Sequence, residues 1–148
     1  MDFNLRRATL DDVDTLAEMN LQLNIYEESN NNMGIPELKA RMQRWLENDR
    51  HAIIVERNDD TVGYLLYYQH EEEYFPYGDS VYVRQYFISP SYRRRGIGQV
   101  AFERIVETFF PRDTPIMLDV LESNPEAKAF WQKLGFDVYN TTLRRTNK

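Results

Sequence analysis

The chain has 148 residues, 42% of them hydrophobic and 14% aromatic, enough for one domain, 1–148, with a sizeable buried core. It has no cysteine, which excludes a disulfide framework, cysteine-ligated zinc and thiol catalysis, and fits a reducing, cytoplasmic setting. The formal net charge of −6 argues against nucleic acid and mildly favours a cationic partner such as an amine. No apolar run nears the roughly 18 residues of a membrane span, and the opening MDFNLRRATLDD lacks the apolar stretch of a secretory signal, so neither is expected.

Phe3 to Thr9 reads as a first strand, and Thr9 with Asp12 as a capping box that starts a helix near Leu10. Val13, Leu16 and Ala17 fall on one face of that helix. NNNMG, residues 30–34, is a breaker-rich loop, and Pro36 suits the first turn of a second helix with Leu38, Met42 and Trp45 as its apolar stripe. His51 to Arg57 and Thr61 to Gln69 read as a hairpin around Asn58-Asp59-Asp60. His70 to Asp79 is charged and aromatic, a loop or a hairpin end. Val81 to Ile88 is the central strand, Ile97 to Phe110 a helix, and Ile116 to Leu121 a further strand with Asp119 inside it. Asn124-Pro125 starts the last helix, whose expected buried stripe is Ala127, Phe130, Trp131 and Leu134, and Gly135 ends it. Phe136 to Arg145 can form a final strand. The order β-α-α-β-β-β-α-β-α-β predicts an α/β (α+β) fold, a central mixed sheet flanked by helices.

Between the central strand and the third helix lies Arg93-Arg94-Arg95-Gly96-Ile97-Gly98. A strand that runs into a glycine turn and then a helix start exposes main-chain N–H groups to an anion. Glycine lets the backbone come close to a phosphate, and the helix end adds partial positive charge. The three arginines can add charge-assisted bonds.

This R-x-x-G-x-G turn, followed by NPEAKAFWQKLGF over residues 124–136, resembles the GNAT superfamily of acyl-CoA N-acetyltransferases, and the likeness runs from the first strand to the last. The resemblance implies acetyl-CoA as co-substrate, no metal and no covalent enzyme intermediate. It implies that Arg93, Arg94, Arg95, Gly96, Ile97 and Gly98 hold the pyrophosphate. It also implies that the main chain of Tyr86, Phe87 and Ile88 pairs with the pantetheine arm and polarises the thioester carbonyl, and that Asn124 reaches the same arm. Lys128 and Lys133 are candidates for the 3′-phosphate. The acceptor pocket would be formed by the first two helices, their loop and the hairpin end, here Tyr26, Glu27, Glu28, Tyr74, Phe75 and Tyr77. Carboxylates and aromatic faces there suit a cationic amine.

The chemistry needs a base, because an amine with a pKa near 10 is mostly protonated at neutral pH. Many relatives carry a glutamate on the central strand; here Arg84 and Gln85 stand there, both candidates for the catalytic site as polar residues in a buried strand, and expected by alternation to face opposite sides of the sheet. Glu71, Glu72, Glu73 and Asp119 could act through a water. The usual acid of the resembled family is a tyrosine at the position of Trp131, whose indole donates a hydrogen bond but is no acid. Trp131 is then a coenzyme-contact or core residue, and Tyr139 and Tyr86 are the alternative acids. The favoured expectation is transfer of an acetyl group to a primary amine of a small molecule or peptide by direct attack in a ternary complex. The alternative is a non-catalytic acyl-CoA-binding module of the same fold. No nucleic acid or membrane partner is expected, and a homodimer is one assembly the resemblance allows.

Overall fold

In a computed structural model that describes residues 2–27, 29–71, 79–93 and 95–148, the chain opens with strand β1 (Asn4–Arg7). The Thr9 hydroxyl accepts from the Asp11 N–H at 3.3 Å and the Asp12 carboxylate accepts from the Thr9 N–H at 2.8 Å. This capping box starts a short 3-10 turn (Leu10–Asp12) that continues as α1 (Val13–Tyr26). The Arg6 guanidinium ties that start to the sheet. It donates twice to Asp12, at 2.9 and 2.8 Å, and once to Glu56, at 2.9 Å. These bonds to the charged forms hold the Asp12 carboxyl below the usual carboxylate range and raise Arg6.

Helix α2 (Ile35–Glu47) has its proline in the first turn, as expected. Strands β2 (Arg50–Arg57) and β3 (Asp60–Glu71) form a hairpin whose turn places Asn58 at φ 55°, a left-handed conformation that asparagine tolerates. Strand β4 (Asp79–Ile88) follows, then a 3-10 turn (Pro90–Tyr92), α3 (Ile97–Phe109) and a two-residue β5 (Ile116–Met117). The sheet order is β1-β2-β3-β4-β5, antiparallel throughout except for the parallel β4–β5 pair. Val13, Leu16, Met19 and Leu23 of α1 and Met42 of α2 bury one face of the sheet together with Ile54, Tyr64, Leu66 and Phe87. Helix α3 covers the opposite face, where Phe102 meets Tyr86 edge-on at 5.8 Å. Gly63 is required by close approach: a Cβ there would overlap the Phe87 carbonyl oxygen of β4.

One irregularity in β4 matters for function. Leu66 lies opposite Gln85 but Tyr67 lies opposite Val83, so Arg84 is an extra, bulged residue. The bulge corrects the expectation that Arg84 and Gln85 face opposite sides. Gln85 accepts from the Tyr64 hydroxyl at 2.8 Å, within the α1/α2 face, and the Arg84 guanidinium sits 5.9 Å from the Trp45 ring of α2 on that same face. The parallel ladder to β5 comprises only Val81–Ile116 and Tyr82–Met117, and β5 is much shorter than the expected Ile116–Leu121.

The chain divides into two compact units, residues 1–118 and 119–148. The second holds α4 (Pro125–Lys133), capped by the Asn124 side chain, which accepts from the Ala127 N–H at 3.1 Å. Gly135 at φ 96° closes it, with the Phe136 N–H donating to the Trp131 carbonyl at 3.1 Å. Its expected stripe is half-buried rather than buried: no residue of α4 is fully covered. The final strand expected over Phe136–Arg145 is not formed. A strand needs a partner edge to satisfy its backbone, and this unit contains one helix and no strand to supply one. No helix among the described residues is long and apolar enough to cross a membrane.

Candidate active site

From Val83 to Ile88, β4 pairs with β3 alone, so among the described residues its other edge is open. The Ser89 N–H donates to the Val62 carbonyl of β3 at 2.7 Å. Alternation along the strand then turns the backbone of Phe87 toward β3 and the backbones of Tyr86 and Ile88 outward, to the open edge. This edge offers the Tyr86 N–H and carbonyl and the Ile88 N–H to an extended ligand in the manner of an added strand, the Ile88 carbonyl being engaged by Arg93.

The strand leads into the glycine turn. Gly96 adopts φ 74° and caps α3 without a side-chain bond. The first helical bond runs from the Val100 N–H to the Gly96 carbonyl at 3.1 Å. The N–H groups of Ile97, Gly98 and Gln99 precede it and have no intrahelical acceptor. These three amides, at the positive end of a thirteen-residue helix, fit a pyrophosphate without any side chain. Tyr86 fixes their position, since its hydroxyl donates to the Gly98 carbonyl at 2.6 Å. Burial raises the Tyr86 phenol well above its ordinary value, so it holds its proton and braces the turn.

The arginines of the turn divide their work. The Arg93 Nε donates to the Ile88 carbonyl at 2.6 Å, and its guanidinium lies 3.9 Å over the Tyr26 ring and 5.4 Å from Phe87. Arg93 thus straps the end of α1 to the end of β4, while Arg95 is exposed. Arg94 lies outside the described residues, as do Glu28, Glu72, Glu73, Tyr74, Phe75, Tyr77 and the side chain of Glu71.

On the α1/α2 side of the same strand is a polar cluster that periodicity did not single out. Asn20 is fully buried, accepts from Arg41 at 3.1 Å and donates to Asn24 at 3.4 Å. Arg41 stacks over Trp45 at 4.3 Å. Tyr64, also fully buried, donates to Gln85, and its phenol is raised by burial while responding to Arg41, Glu27 and Arg84. Glu27, just past the end of α1, keeps much of its surface in solvent. The protein around its carboxyl nevertheless raises it above the usual glutamate value, against an opposing pull from Arg84. Among the expected site residues, Arg84, Gln85, Tyr26, Glu27, Phe87, Ile88 and Arg93 therefore lie in one unit around the end of β4. The only sign in the sequence of Asn20 and Arg41 was a polar residue close to each apolar stripe.

Asn124, Trp131 and Tyr139 belong to the second unit. The Asn124 side chain caps its own helix, and Trp131 packs edge-on against Phe130 at 4.9 Å and Phe136 at 5.5 Å. Tyr139 is 66% exposed. A hollow of about 220 Å³ lined by Arg7, Thr9, Leu46, Arg50 and His51 lies at the β1–β2 edge. None of the candidate residues lines it.

The model of the acetyltransferase (GNAT) family matches residues 19–136. No curated protein sequence matches significantly. Solved structures match in fold over nearly the whole chain. A possible acetyltransferase from Clostridium difficile 630 superposes with a TM-score of 0.83 at 20% identity, covering 99% of this chain and 97% of that one. A predicted acetyltransferase from Clostridium acetobutylicum, solved with acetyl-CoA, gives 0.78 at 20% identity with coverage of 98% and 96%. The aminoglycoside N-acetyltransferase AAC(6')-Iy, solved with CoA, gives 0.79 at 13% identity with coverage of 99% and 95%. The architecture of this sheet and its helices is the GNAT fold, and the chain belongs to the acetyltransferase (GNAT) family.

Proposed function

We propose that this protein is an acetyl-CoA-dependent N-acetyltransferase that acts on a primary amine by direct attack in a ternary complex. The observation that carries the reading is the open β4 edge followed, beyond the Pro90–Tyr92 turn, by the start of α3, which has no side-chain cap. Acetyl-CoA supplies the thioester carbonyl; the amine nitrogen bonds to that carbon, the carbon–sulfur bond breaks, and the thiolate takes a proton. The amides of Ile97, Gly98 and Gln99 bind the pyrophosphate. The outward backbone of Tyr86 and Ile88 aligns the pantetheine arm and donates to the developing oxyanion, a contribution of about 3 kcal/mol for one well-placed donor.

Neither Arg84 nor Gln85 takes the amine proton. A guanidinium stays charged at any working pH and an amide has no basic nitrogen. Glu27 is the better base. It stands across from Arg84, and burial brings its carboxyl closer to the pH at which a base is useful. Gln85, fixed by Tyr64, and Arg84, beside Trp45, act instead as positioning groups for the acceptor. The family model crosses the boundary between the two units, which supports reading 1–148 as one domain, and we place the protein in the cytoplasm.

The non-catalytic reading, an acyl-CoA-binding module, is favoured by one observation: Trp131, packed on Phe130 and Phe136, stands where an acid would be a tyrosine. Thiol release from acetyl-CoA across a panel of amines separates the two. Amine-dependent release, with the acetylated amine found by mass spectrometry, is the expected result. Tight binding of acetyl-CoA without release on any amine would overturn the enzyme reading in favour of the module.

A further inference from the structure

We propose that the acceptor is an amine that also carries a carboxylate, of amino-acid type, and that Arg41 with Asn24 binds the carboxylate while the amine faces Glu27 and Gln85. The inference rests on the acetyltransferase reading above and goes on to name its substrate class.

Buried polar groups are nearly always paired. Asn20 uses its oxygen on Arg41 and its amide on Asn24. That leaves the Arg41 Nε and the Asn24 Nδ2 shut off from solvent with no acceptor among the described residues. Both are donors, and both belong to the chain of bonds that runs from α1 to α2. What completes them is therefore an oxygen acceptor, and a carboxylate offers two oxygens to a guanidinium fork.

Charge selects the same ligand. Arg41 has no carboxylate paired with it among the described residues. Its charged form is disfavoured first by burial and then by Arg84 and Arg44. Arg84 lies near the same Trp45 ring on which Arg41 stacks. Glu27 is coupled to Arg84 and Tyr64 and does not act on Arg41. A half-buried arginine with arginine neighbours attracts an anion and repels a polycation. Aminoglycosides, the acceptors for which two of the solved structures are named, are polycations, and this face suits them poorly.

The two ends of the ligand also fit the fold. Tyr64 responds to Arg41 and Glu27 alike and its hydroxyl bonds Gln85 on β4, so the arginine, the carboxylate and the strand form one neighbourhood. An amino acid held at Arg41 presents its nitrogen toward Gln85 and the outward backbone of β4.

The test measures acetyl transfer to amino acids and to the amines that remain when their carboxyl group is removed, in pairs matched by side chain. The wild type is expected to favour the amino acid by on the order of 100-fold in kcat/KM, the scale of a paired charge in a polar site. Arg41→Ala is expected to remove that preference, mainly through KM; Asn24→Ala shifts it in the same direction by about tenfold. Circular dichroism melting checks that each variant is folded, and the wild-type preference stands as a test even if a variant is not. Efficient transfer to simple amines or aminoglycosides with none to amino acids overturns the inference and leaves the acetyltransferase reading standing. Binding of acetyl-CoA with no transfer to any amine overturns both.

Discussion

Gly96→Glu is expected to abolish acetyl-CoA binding, lowering affinity by at least about 100-fold in calorimetry, while the protein remains folded. Two effects add. Gly96 sits at φ 74°, where a Cβ costs about 1–2 kcal/mol. The new carboxylate would stand at the cap of α3, beside the free amides of Ile97, Gly98 and Gln99, and would take the place of the pyrophosphate and repel it. The residue is exposed, so the core is untouched. Gly96→Ala separates the two effects, because it keeps the strain and omits the charge; a loss of about tenfold is expected for it. Affinity unchanged in Gly96→Glu would mean that the coenzyme does not bind at this turn.

Glu27→Gln is expected to lower kcat by about 10²- to 10⁴-fold with acetyl-CoA affinity retained, the range for loss of a general base. The pH profile carries the sharper signature. A base works when deprotonated, so kcat/KM rises with pH through its pKa. Burial raises the Glu27 carboxyl, so this limb lies above the ordinary glutamate value of about 4.3. A second rise near pH 10 belongs to the amine itself. The variant should lose the acidic limb and keep the alkaline one. If both limbs survive with kcat unchanged, Glu27 only lines the pocket.

The turn was legible in the sequence because its physics is local: a glycine forced into the left-handed region, a strand before it and a helix after it. The start of α1 at Thr9, the hairpin at Asn58 and the end of α4 at Gly135 were legible for the same reason. What escaped depended on pairing at a distance. Period-two alternation places Arg84 and Gln85 on opposite faces; the single extra residue that puts them on one face is set by register with Leu66 and Tyr67, which no window around β4 contains. Phe136 to Arg145 carries strand-like residues, but a strand forms only where an edge receives it. Asn20, Asn24 and Arg41 meet across two helices, and each on its own helix reads as an ordinary polar residue beside an apolar stripe. The dividing line falls between a turn set by its own neighbouring residues and a cluster of side chains brought together by packing.

That division makes the backbone site the place to test the whole account. Amide resonances of the protein, followed by NMR as acetyl-CoA is added, report on it directly. The account predicts that the largest shifts and the strongest protection from exchange fall on Tyr86, Ile88, Ile97, Gly98 and Gln99, with little change at the hollow lined by Arg7, Arg50 and His51. Saturable shifts at that hollow, with the β4 edge and the start of α3 unmoved, would contradict it.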